Sequence, residues 1–525
     1  MGLPRFFDRV ADAALPVMNG VRRDDFAEKV AATAVTLEAP AENDDPNLPL
    51  GFLLAVNLCA RVYPTIGLVG PSALTDNAAE MIRWVNPRCD LKADIEPSPR
   101  LSFRKQPESP GVFVTASGWN SVIDNLPREQ EPAQIPAALA AGALGASELF
   151  RTAFGPLLGA RARAKPTAGG FNLVTLAKWS SNVQGLEDDL ELGDFHLVGA
   201  GAVGEGAAEV LRRVSVRGHI TVVDDEHVTE ANLQRYVLAG DRDEGKLKTT
   251  VIDRALEGRQ LTVNSVSAKW GTHPAAYPSA VNTVLVAVDS AVTRIAIQAA
   301  LPSRIYNAFT GRLDLGWSRH EHFGVDPCLA CLYWPDTPRS NRHEEIASSL
   351  GQDPLRVLGY LASGQPVGTP LRQVGDVPGL EKPLDWQMWL NTSLLADIGS
   401  ANGFQAAELE RWADKSIDYL YREGVCGGAL ILSQIDGNSR VMEVPLAHQS
   451  ALAGIMLATE FLIASSPHLI SQRPEPTEAR YDVLGEPNQI MARPRSRSPR
   501  CICEDSDYVE RYADRWDHGP LQLPR

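Results

Sequence analysis

Apolar and polar positions near the middle of the chain alternate in a way that predicts a strand, a turn, a helix and a second strand. The first apolar run, residues 195–198, meets a glycine turn, and the second, residues 219–223, ends on Asp224. The glycines of the turn are Gly199, Gly201 and Gly204. Glycine lets a backbone approach phosphate closely, and the N-terminus of the following helix offers N–H groups to an anion. The pattern therefore predicts a mononucleotide-binding βαβ unit.

Three polar residues beyond this unit argue against a nicotinamide-binding site, which the glycine turn alone would also fit. Asn232, Arg235 and Lys248 follow Asp224 within 24 positions. Arginine and lysine can neutralise phosphate charge as it moves onto a leaving pyrophosphate. We therefore expect a site for a nucleoside triphosphate, with solvated surface charge as the alternative for both cations.

A further apolar run, residues 284–288, ends on Asp289, and Arg294 follows five positions later. A carboxylate at the C-terminal end of a strand beside the same crevice could hold Mg²⁺. Asp289 could instead cap a helix that begins at Ser290. Arg294 is expected to order this loop and not to contact the nucleotide.

Four of the seven cysteines occur as two close pairs, a CxxC and a CxC. Two such pairs could together clamp one tetrahedral zinc ion, and thiolates at a closed site serve folding and not catalysis. Two unrelated pairs of reduced cysteines are the alternative. A redox role is disfavoured because the CxxC lacks a thioredoxin-like context. The candidate zinc ligands are Cys328, Cys331, Cys501 and Cys503.

The composition predicts a globular chain with an acidic balance. Of its 525 residues, 44% are hydrophobic and 22% are charged, and the formal net charge is −15. This charge disfavours nucleic acid or an anionic membrane as the main partner. No transmembrane helix is expected, because no run of about 18 uninterrupted apolar residues occurs. Asp8 and Asp12 make the N-terminus a poor signal peptide, so a cytoplasmic location is expected.

The motifs together resemble those of the ThiF/MoeB and ubiquitin-activating-enzyme superfamily, whose members adenylate the C-terminal carboxylate of a ubiquitin-like protein. That family carries a glycine loop, an aspartate on the ribose, NLxR, GxxK and a late aspartate on magnesium. Here these motifs are the glycine turn, Asp224, NLQR at 232–235, GKLK at 245–248 and Asp289. Glu226 stands where the family usually has a second aspartate, and Ser290 stands where asparagine is common.

The resemblance implies a doubly wound, Rossmann-like α/β adenylation fold that uses ATP and Mg²⁺. Gly199, Gly201, Gly204, Asp224, Asn232, Arg235, Lys248 and Asp289 would bind the nucleotide and its metal. Arg235, Lys248 and Asp289 would also be catalytic. The family uses a further arginine near the start of the fold, for which only Arg161 or Arg163 suggests itself.

Four regions are expected along the chain. They are an N-terminal α/β domain (1–165), an ATP-binding domain (190–335), an insertion (336–444) and a C-terminal part of the adenylation fold (445–525) with the second zinc half-site. The N-terminal domain is either an inactive adenylation-like half or an unrelated accessory domain. The protein is accordingly expected to be an intrachain pseudo-dimer or a homodimer. Long apolar helices are predicted at 135–154 and 447–466, and residues 471–500 are predicted to form an extended arm.

Cys426 lies within the insertion and is followed by two glycines. Ubiquitin-activating enzymes carry their thioester-forming cysteine in a segment placed like this one, so the resemblance implies that Cys426 is the catalytic thiol. The alternative is a buried structural cysteine. Cys59 and Cys89 are assigned to the core.

The resulting function prediction is an enzyme that activates a ubiquitin-like protein and passes it to a conjugating enzyme. The large size and the insertion make the chain resemble the activating enzymes of bacterial ubiquitin-like conjugation operons, the Bil-type antiviral defence systems. A sulfur-carrier-protein adenylyltransferase of the ThiF/MoeB type, without conjugation, is the alternative. A non-enzymatic scaffold is disfavoured because Arg235, Lys248 and Asp289 are all present.

Overall fold

The structure is a computed structural model, and it divides into two compact units, Met1–Trp334 with Pro445–Arg525, and Pro335–Val444. The insertion predicted at 336–444 falls within the second unit. The residues described are 3–15, 18, 21–104, 111–124, 131–158, 168–272, 281–311, 314–333, 342–371, 391–402, 409–421, 445–474, 478–485 and 490–516.

The first part of the first unit is built on a seven-stranded sheet, counted over the described residues. Its strands are β1 (Ala34–Glu38), β2 (Thr65–Val69), β3 (Asp90–Lys92), β4 (Arg100–Ser102), β5 (Val112–Ser117), β6 (Asn120–Ile123) and β7 (Gly169–Asn172). The order is β3-β2-β1-β4-β5-β6-β7, and the first five strands are parallel. The helices are α1 (Phe7–Ala14), α2 (Arg23–Ala31), α3 (Leu48–Ala60), α4 (Ser72–Val85) and α5 (Ile135–Phe154).

The second part carries an eight-stranded sheet, again counted over the described residues. Its strands are β8 (Leu190–Val198), β9 (Val216–Val223), β10 (Leu261–Val266), β11 (Thr283–Val286), β12 (Arg304–Thr310), β13 (Asp314–His320), β14 (Glu478–Asp482) and β15 (Ile490–Arg493). The order is β10-β9-β8-β11-β12-β13-β14-β15, with the first five strands parallel. Its first helices are α6 (Ala202–Leu211), α7 (Lys248–Leu256), α8 (Ala291–Ala299) and α9 (Leu329–Tyr333).

The second unit is helical over its described residues. Its helices are α10 (Arg342–Leu350), α11 (Pro354–Ser363), α12 (Leu394–Asn402) and α13 (Ile417–Tyr419). It has an apolar core of its own that includes Tyr360, Ile398 and Trp412. The chain then returns to the first unit through α14 (Ala447–Ser465), α15 (Pro467–Ile470) and, near the C-terminus, α16 (Ser506–Arg515).

The two sheets of the first unit share one connectivity. In each, the first strand is central, the second and third strands lie on one side, and the fourth and fifth lie on the other. In each, a long helix rich in small residues packs on the sheet: α5 contacts β5 and α14 contacts β12. These two helices also pack against each other, and the Ser147 hydroxyl donates to the Val483 carbonyl at 3.1 Å. The mixed α/β, largely parallel architecture fits the predicted Rossmann-like fold.

The prediction of an extended arm at 471–500 is wrong over part of this range, because the strands β14 and β15 lie within it and extend the second sheet. Ion pairs hold this charged sequence in strand form. The buried Glu478 carboxylate lies 2.5 Å from both Arg480 and Arg495. These ion pairs stabilise the two strands. The strands were not predicted because the sequence is rich in arginine and proline.

The helix α14 lies in the core, packed against α6. It has the length and hydropathy of a membrane span, but 94% of its apolar window is buried in the fold, and a core helix meets the same test. The two helices approach through glycines. A Cβ added at Gly454 would lie 2.2 Å from the Val203 carbonyl oxygen, and one at Gly206 would lie 2.9 Å from the Ala451 carbonyl oxygen.

We predict that Gly454→Ala lowers the free energy of unfolding by about 1–3 kcal/mol, because the added methyl group must push α14 away from α6. The measurement is the midpoint of urea unfolding of the full chain. Gly155→Ala is the control, since nothing lies within 4 Å of its added Cβ. Equal midpoints for the two variants would contradict the tight helix contact.

Candidate active site and metal centre

The predicted nucleotide residues meet at the C-terminal edge of the second sheet. The strand β8 lies between β9 and β11, and all three are parallel. Val198 at the end of β8 is paired with Val223 on one side and Val286 on the other. The chain runs from β8 outward to β9 and β10, and only later to β11, so the connections diverge between β8 and β11. Open α/β sheets bind ligands in the crevice at such a switch point.

The glycine turn follows β8 directly and leaves no room for a side chain at two of its three glycines, Gly199 and Gly204. Gly199 has a φ of +99°, and a Cβ there would lie 2.7 Å from the Ala287 carbonyl carbon. A Cβ at Gly204 would lie 2.1 Å from the Gly199 carbonyl oxygen. Gly201 precedes the first residue of α6 and is extended. The turn therefore brings bare backbone and the N-terminus of α6 to the crevice, as phosphate binding requires.

Asp224 follows β9 and binds the glycine turn through its carboxylate. One oxygen accepts the N–H of Ala200 at 2.8 Å, and the other accepts the N–H of Glu226 at 2.9 Å. Burial raises the pKa of Asp224, against the opposing effects of Lys248 and these two N–H groups. Each carboxylate oxygen keeps a second lone pair, so the group can still accept a ribose hydroxyl.

Asn232 and Arg235 lie in the loop between β9 and α7. The Asn232 side-chain oxygen accepts the N–H of Thr229 at 2.9 Å and closes a short 3-10 turn. The Arg235 N–H donates to the Asn232 carbonyl at 3.0 Å. The Nη1 atom of Arg235 is buried and has no hydrogen-bond partner among the described residues. A buried guanidinium donor without an acceptor is costly, and an anionic ligand would satisfy it.

Lys248 is the first residue of α7 and is buried beside Arg235. Its Nζ pairs with Glu226 and lies 5.4 Å from the centroid of the Tyr236 ring, while the Arg235 guanidinium lies 5.9 Å from that ring. Burial alone would lower the pKa of Lys248, but Tyr236, Asp224 and Glu226 outweigh it and raise the pKa above its usual range. The lysine is therefore a fixed cation at the crevice.

Asp289 lies in the loop after β11, three residues beyond Val286, and its side chain is exposed. The cap of α8 is Ser290, whose hydroxyl accepts the N–H of Thr293 at 3.2 Å. The helix-cap alternative for Asp289 is thus taken by its neighbour. Arg294 donates to the Ala308 carbonyl of β12 at 3.2 Å and lies 4.6 Å from the ring centroid of Tyr333 in α9. That it orders the loop after β11 stays a prediction.

Several residues at this site are missing from the sequence prediction. Tyr236 lies under both cations, and burial raises its pKa. Glu205 is fully buried in α6, accepts the N–H of Leu238 at 2.6 Å, and has its pKa raised to about 8 by burial. An acidic residue within the apolar sequence of α6 is the signal that could have pointed to Glu205. The part of the first unit with the seven-stranded sheet is called here the first half, and the part with the eight-stranded sheet the second half. Two arginines of the first half, Arg5 and Arg61, also contact the loop between β9 and α7.

The four paired cysteines form one cluster, with all four Sγ atoms within 4.8 Å of one another. The Cys328–Cys501 and Cys331–Cys503 sulfur distances are both 3.4 Å, and the Cys328–Cys331 distance is 3.9 Å. A tetrahedral ion with Zn–S bonds of about 2.3 Å separates its sulfurs by roughly 3.8 Å. The cluster therefore fits a zinc-sized metal, and it could hold one.

Around this cluster the C-terminal segment is fastened to the sheet. The Tyr512 hydroxyl donates to the Ser303 carbonyl at 3.0 Å, and the Trp516 indole N–H donates to the Leu301 carbonyl at 3.0 Å. Of the other cysteines, Cys59 is buried and Cys89 is half-buried, so the core assignment holds only in part for Cys89. Cys426, Arg161 and Arg163 lie outside the described residues.

Comparison with known proteins gives a family match over more than half of the chain. Residues 177–504 match the sequence profile of the ThiF family. The Sinorhizobium fredii protein y4jF is 30% identical over 548 aligned residues, which cover 99% of this chain and 98% of that protein.

Two solved structures of E. coli MccB are also similar. The structure with ATP is 12% identical and covers 75% of this chain and 98% of its own, with a TM-score of 0.33. The structure with MccA-N7isoASN is 15% identical and covers 59% and 66% of the two chains, also with a TM-score of 0.33. At these TM-scores the likeness supports no conclusion about this chain.

We predict that the purified chain contains zinc in equimolar amount, and that Cys501→Ser loses it together with stability, because the cluster fastens the C-terminal segment to the sheet. Metal analysis and the thermal midpoint measure the two effects. Cys89→Ser, which changes a thiol outside the cluster, should keep both. A wild-type chain that is metal-free and indifferent to chelators would contradict the zinc assignment.

Proposed function

The chain belongs to the ThiF family, and from that premise we propose that it adenylates the C-terminal carboxylate of a ubiquitin-like protein with ATP and Mg²⁺. The observation that carries the proposal is the Arg235 Nη1 atom, which is buried without a hydrogen-bond partner among the described residues. The Arg235 guanidinium lies 5.9 Å from the Tyr236 ring, whose hydroxyl lies beside Gly201 of the glycine turn. A triphosphate would supply the acceptor that this donor lacks.

In the proposed reaction, a carboxylate oxygen of the protein substrate attacks the α-phosphorus of ATP. The bond from the α-phosphorus to the bridging oxygen breaks, and pyrophosphate leaves with the electron pair. The glycine turn and the N-terminus of α6 would bind phosphate, and Asp224 would accept a ribose hydroxyl. Arg235 and Lys248 would offset the charge that builds on the leaving pyrophosphate.

The Lys248–Glu226 pair has a role in this proposal. Glu226 holds the ammonium group at the crevice before a nucleotide enters. A phosphate group of the bound nucleotide would then compete with Glu226 for the Lys248 ammonium group. Mg²⁺, which Asp289 would help to hold, supplies further positive charge next to the phosphates. The exposure of Asp289 and its place beside β11 support this role.

We also propose that the first half is an inactive adenylation-like half, so that the chain is an intrachain pseudo-dimer. The shared strand order of the two sheets supports this. The segment that follows β1, residues 39–47, contains no glycine, so the first sheet lacks a phosphate turn at the equivalent place. A homodimer remains the rival arrangement, and sedimentation of the purified chain separates the two.

For the second step, we propose that Cys426 carries the activated protein. Its thiolate would attack the carbonyl carbon of the acyl-adenylate, forming a thioester and releasing AMP. Transfer to the cysteine of a conjugating enzyme would follow. The resemblance to Bil-type systems favours a bacterial antiviral defence pathway. A chain that adenylates but forms no thioester would instead be a sulfur-carrier adenylyltransferase.

We predict that Arg235→Gln lowers the rate of ATP–pyrophosphate exchange about 100- to 1,000-fold, the cost of removing one donor to developing charge. Exchange of labelled pyrophosphate into ATP, with a ubiquitin-like protein encoded beside the chain, is the measurement. Arg217→Gln is the matched control, because this exposed arginine at the start of β9 pairs only with the exposed Glu191 among the described residues. Normal exchange in Arg235→Gln would remove the main support for the proposed site.

We predict an ATP-dependent adduct between the chain and the ubiquitin-like protein that a thiol reagent cleaves and that Cys426→Ala abolishes. A non-reducing gel detects it, and Cys89→Ala is the control that should keep it. Loss of the adduct with pyrophosphate exchange intact is expected, since adenylation precedes the thioester. An adduct that survives in Cys426→Ala would assign the thioester to another residue.

A further inference from the structure

The loop that carries Arg235 is held from outside its own sheet. Residues 230–244, called here the arginine segment, contact four side chains of the first half. They are Arg5, Asn57, Arg61 and Trp84. These contacts cross at least 155 residues of sequence, so they join the two halves at the candidate nucleotide site.

Arg61 makes the most extensive of these contacts. It is fully buried where α3 ends. Its Nη1 donates to the Leu233 carbonyl, and its Nη2 donates to the Ala239 carbonyl at 3.3 Å. These carbonyls lie on either side of Arg235, two residues before it and four after it. One rigid guanidinium therefore spans the backbone that positions the candidate phosphate ligand.

Asn57, one turn earlier on α3, completes the arrangement. Its side-chain oxygen accepts the Arg61 Nε–H at 3.0 Å, and its amide nitrogen donates to the Val237 carbonyl at 3.0 Å. Burial lowers the pKa of Arg61 to about 10, and Glu205 acts against the shift, so the group stays charged at neutral pH. Three backbone carbonyls of the arginine segment are thus bound by two side chains of one helix.

Steric contact and ion pairs fix the far end of the arginine segment. A Cβ at Gly240 would lie 2.4 Å from the Trp84 indole, so only glycine fits against this ring. Arg5 Nε lies 2.7 Å from the Asp241 carboxylate. From the second half, the Glu205 carboxylate of α6 accepts the Leu238 N–H. Side chains of both halves therefore contact the arginine segment.

We propose that Arg61 and Asn57 are positioning residues for Arg235, through which the first half sets the activity of the nucleotide site. This inference rests on the proposed adenylation function. Arg61 binds carbonyls and no carboxylate among the described residues, so the desolvation of its charge offsets part of what its hydrogen bonds add to stability. Its geometric effect is larger, because a misplacement of about 1 Å at a reacting group can cost about 100-fold in rate.

The test compares Arg61→Met with Arg100→Met in the full chain. Arg100 is also a buried arginine of the first half, but it pairs with Asp94 and Glu96, which are both exposed, and neither lies in the arginine segment. We expect Arg61→Met to raise the KM for ATP and lower the kcat of pyrophosphate exchange, about 100-fold in kcat/KM. Arg100→Met should stay near wild type, and Arg61→Lys should recover part of the loss.

Hydrogen exchange of the amides in residues 230–244 gives a readout that needs no activity. Protection should fall in Arg61→Met and stay unchanged in Arg100→Met. Wild-type kinetics in a folded Arg61→Met would overturn the proposal, and so would equal losses in both variants. If the wild type binds ATP but exchanges no pyrophosphate, adenylation fails, and the affinity for ATP replaces kcat/KM in the same comparison. If the wild type binds no ATP, both proposals fail.

A second set of variants keeps the test open should Arg61→Met fold poorly. Gly240→Ala should reduce pyrophosphate exchange because its methyl group meets Trp84. The double variant Trp84→Ala/Gly240→Ala should recover exchange to the level of Trp84→Ala, since the ring that obstructs the added methyl group is gone. Trp84→Ala alone serves as the reference. An equal loss of exchange in Gly240→Ala and the double variant would contradict the contact between Gly240 and Trp84.

Discussion

Positive charge gathered at one edge of the second sheet is the constraint on which the candidate site depends. Arg235 and Lys248 approach the same Tyr236 ring, and two cations confined this closely repel each other. Asp224 and Glu226 offset part of that repulsion, yet the Arg235 Nη1 atom still lacks an acceptor among the described residues. The glycine turn brings bare backbone to the same place. A polyphosphate is the ligand whose charge and shape would complete this balance.

The two halves of the first unit explain how such a site is kept in shape. A loop with a buried cation and no regular hydrogen-bond ladder needs outside support, because its own short 3-10 turns fix little of its path. That support comes from α3 and α4 of the first half and from α6 of the second. Under the proposed function, the first half would affect catalysis without binding nucleotide, because it supports the loop that carries Arg235.

The parts of the fold and of the candidate site that depend on residues close together in the chain could be predicted from the sequence. The glycine turn and the two cysteine pairs follow from residue types a few positions apart, and the long helices follow from runs of apolar residues. Arg61 could not be found this way, and the signal for Glu205 was limited to an acidic residue within the apolar sequence of α6. Arg61 binds a carbonyl 172 positions away, so only the packed fold shows its role. The strands β14 and β15 escaped prediction because ion pairs of Glu478 hold a sequence rich in arginine and proline.

If the proposed function holds, a nucleoside triphosphate supplies the acceptor that Arg235 Nη1 lacks. A crystal structure of the full chain with Mg²⁺ and a non-hydrolysable ATP analogue tests it most directly. We expect phosphate oxygens within hydrogen-bond distance of Arg235 Nη1 and Lys248 Nζ, and a ribose hydroxyl bound to Asp224. An analogue bound elsewhere, or bound at this crevice with Arg235 Nη1 still lacking an acceptor, would contradict it.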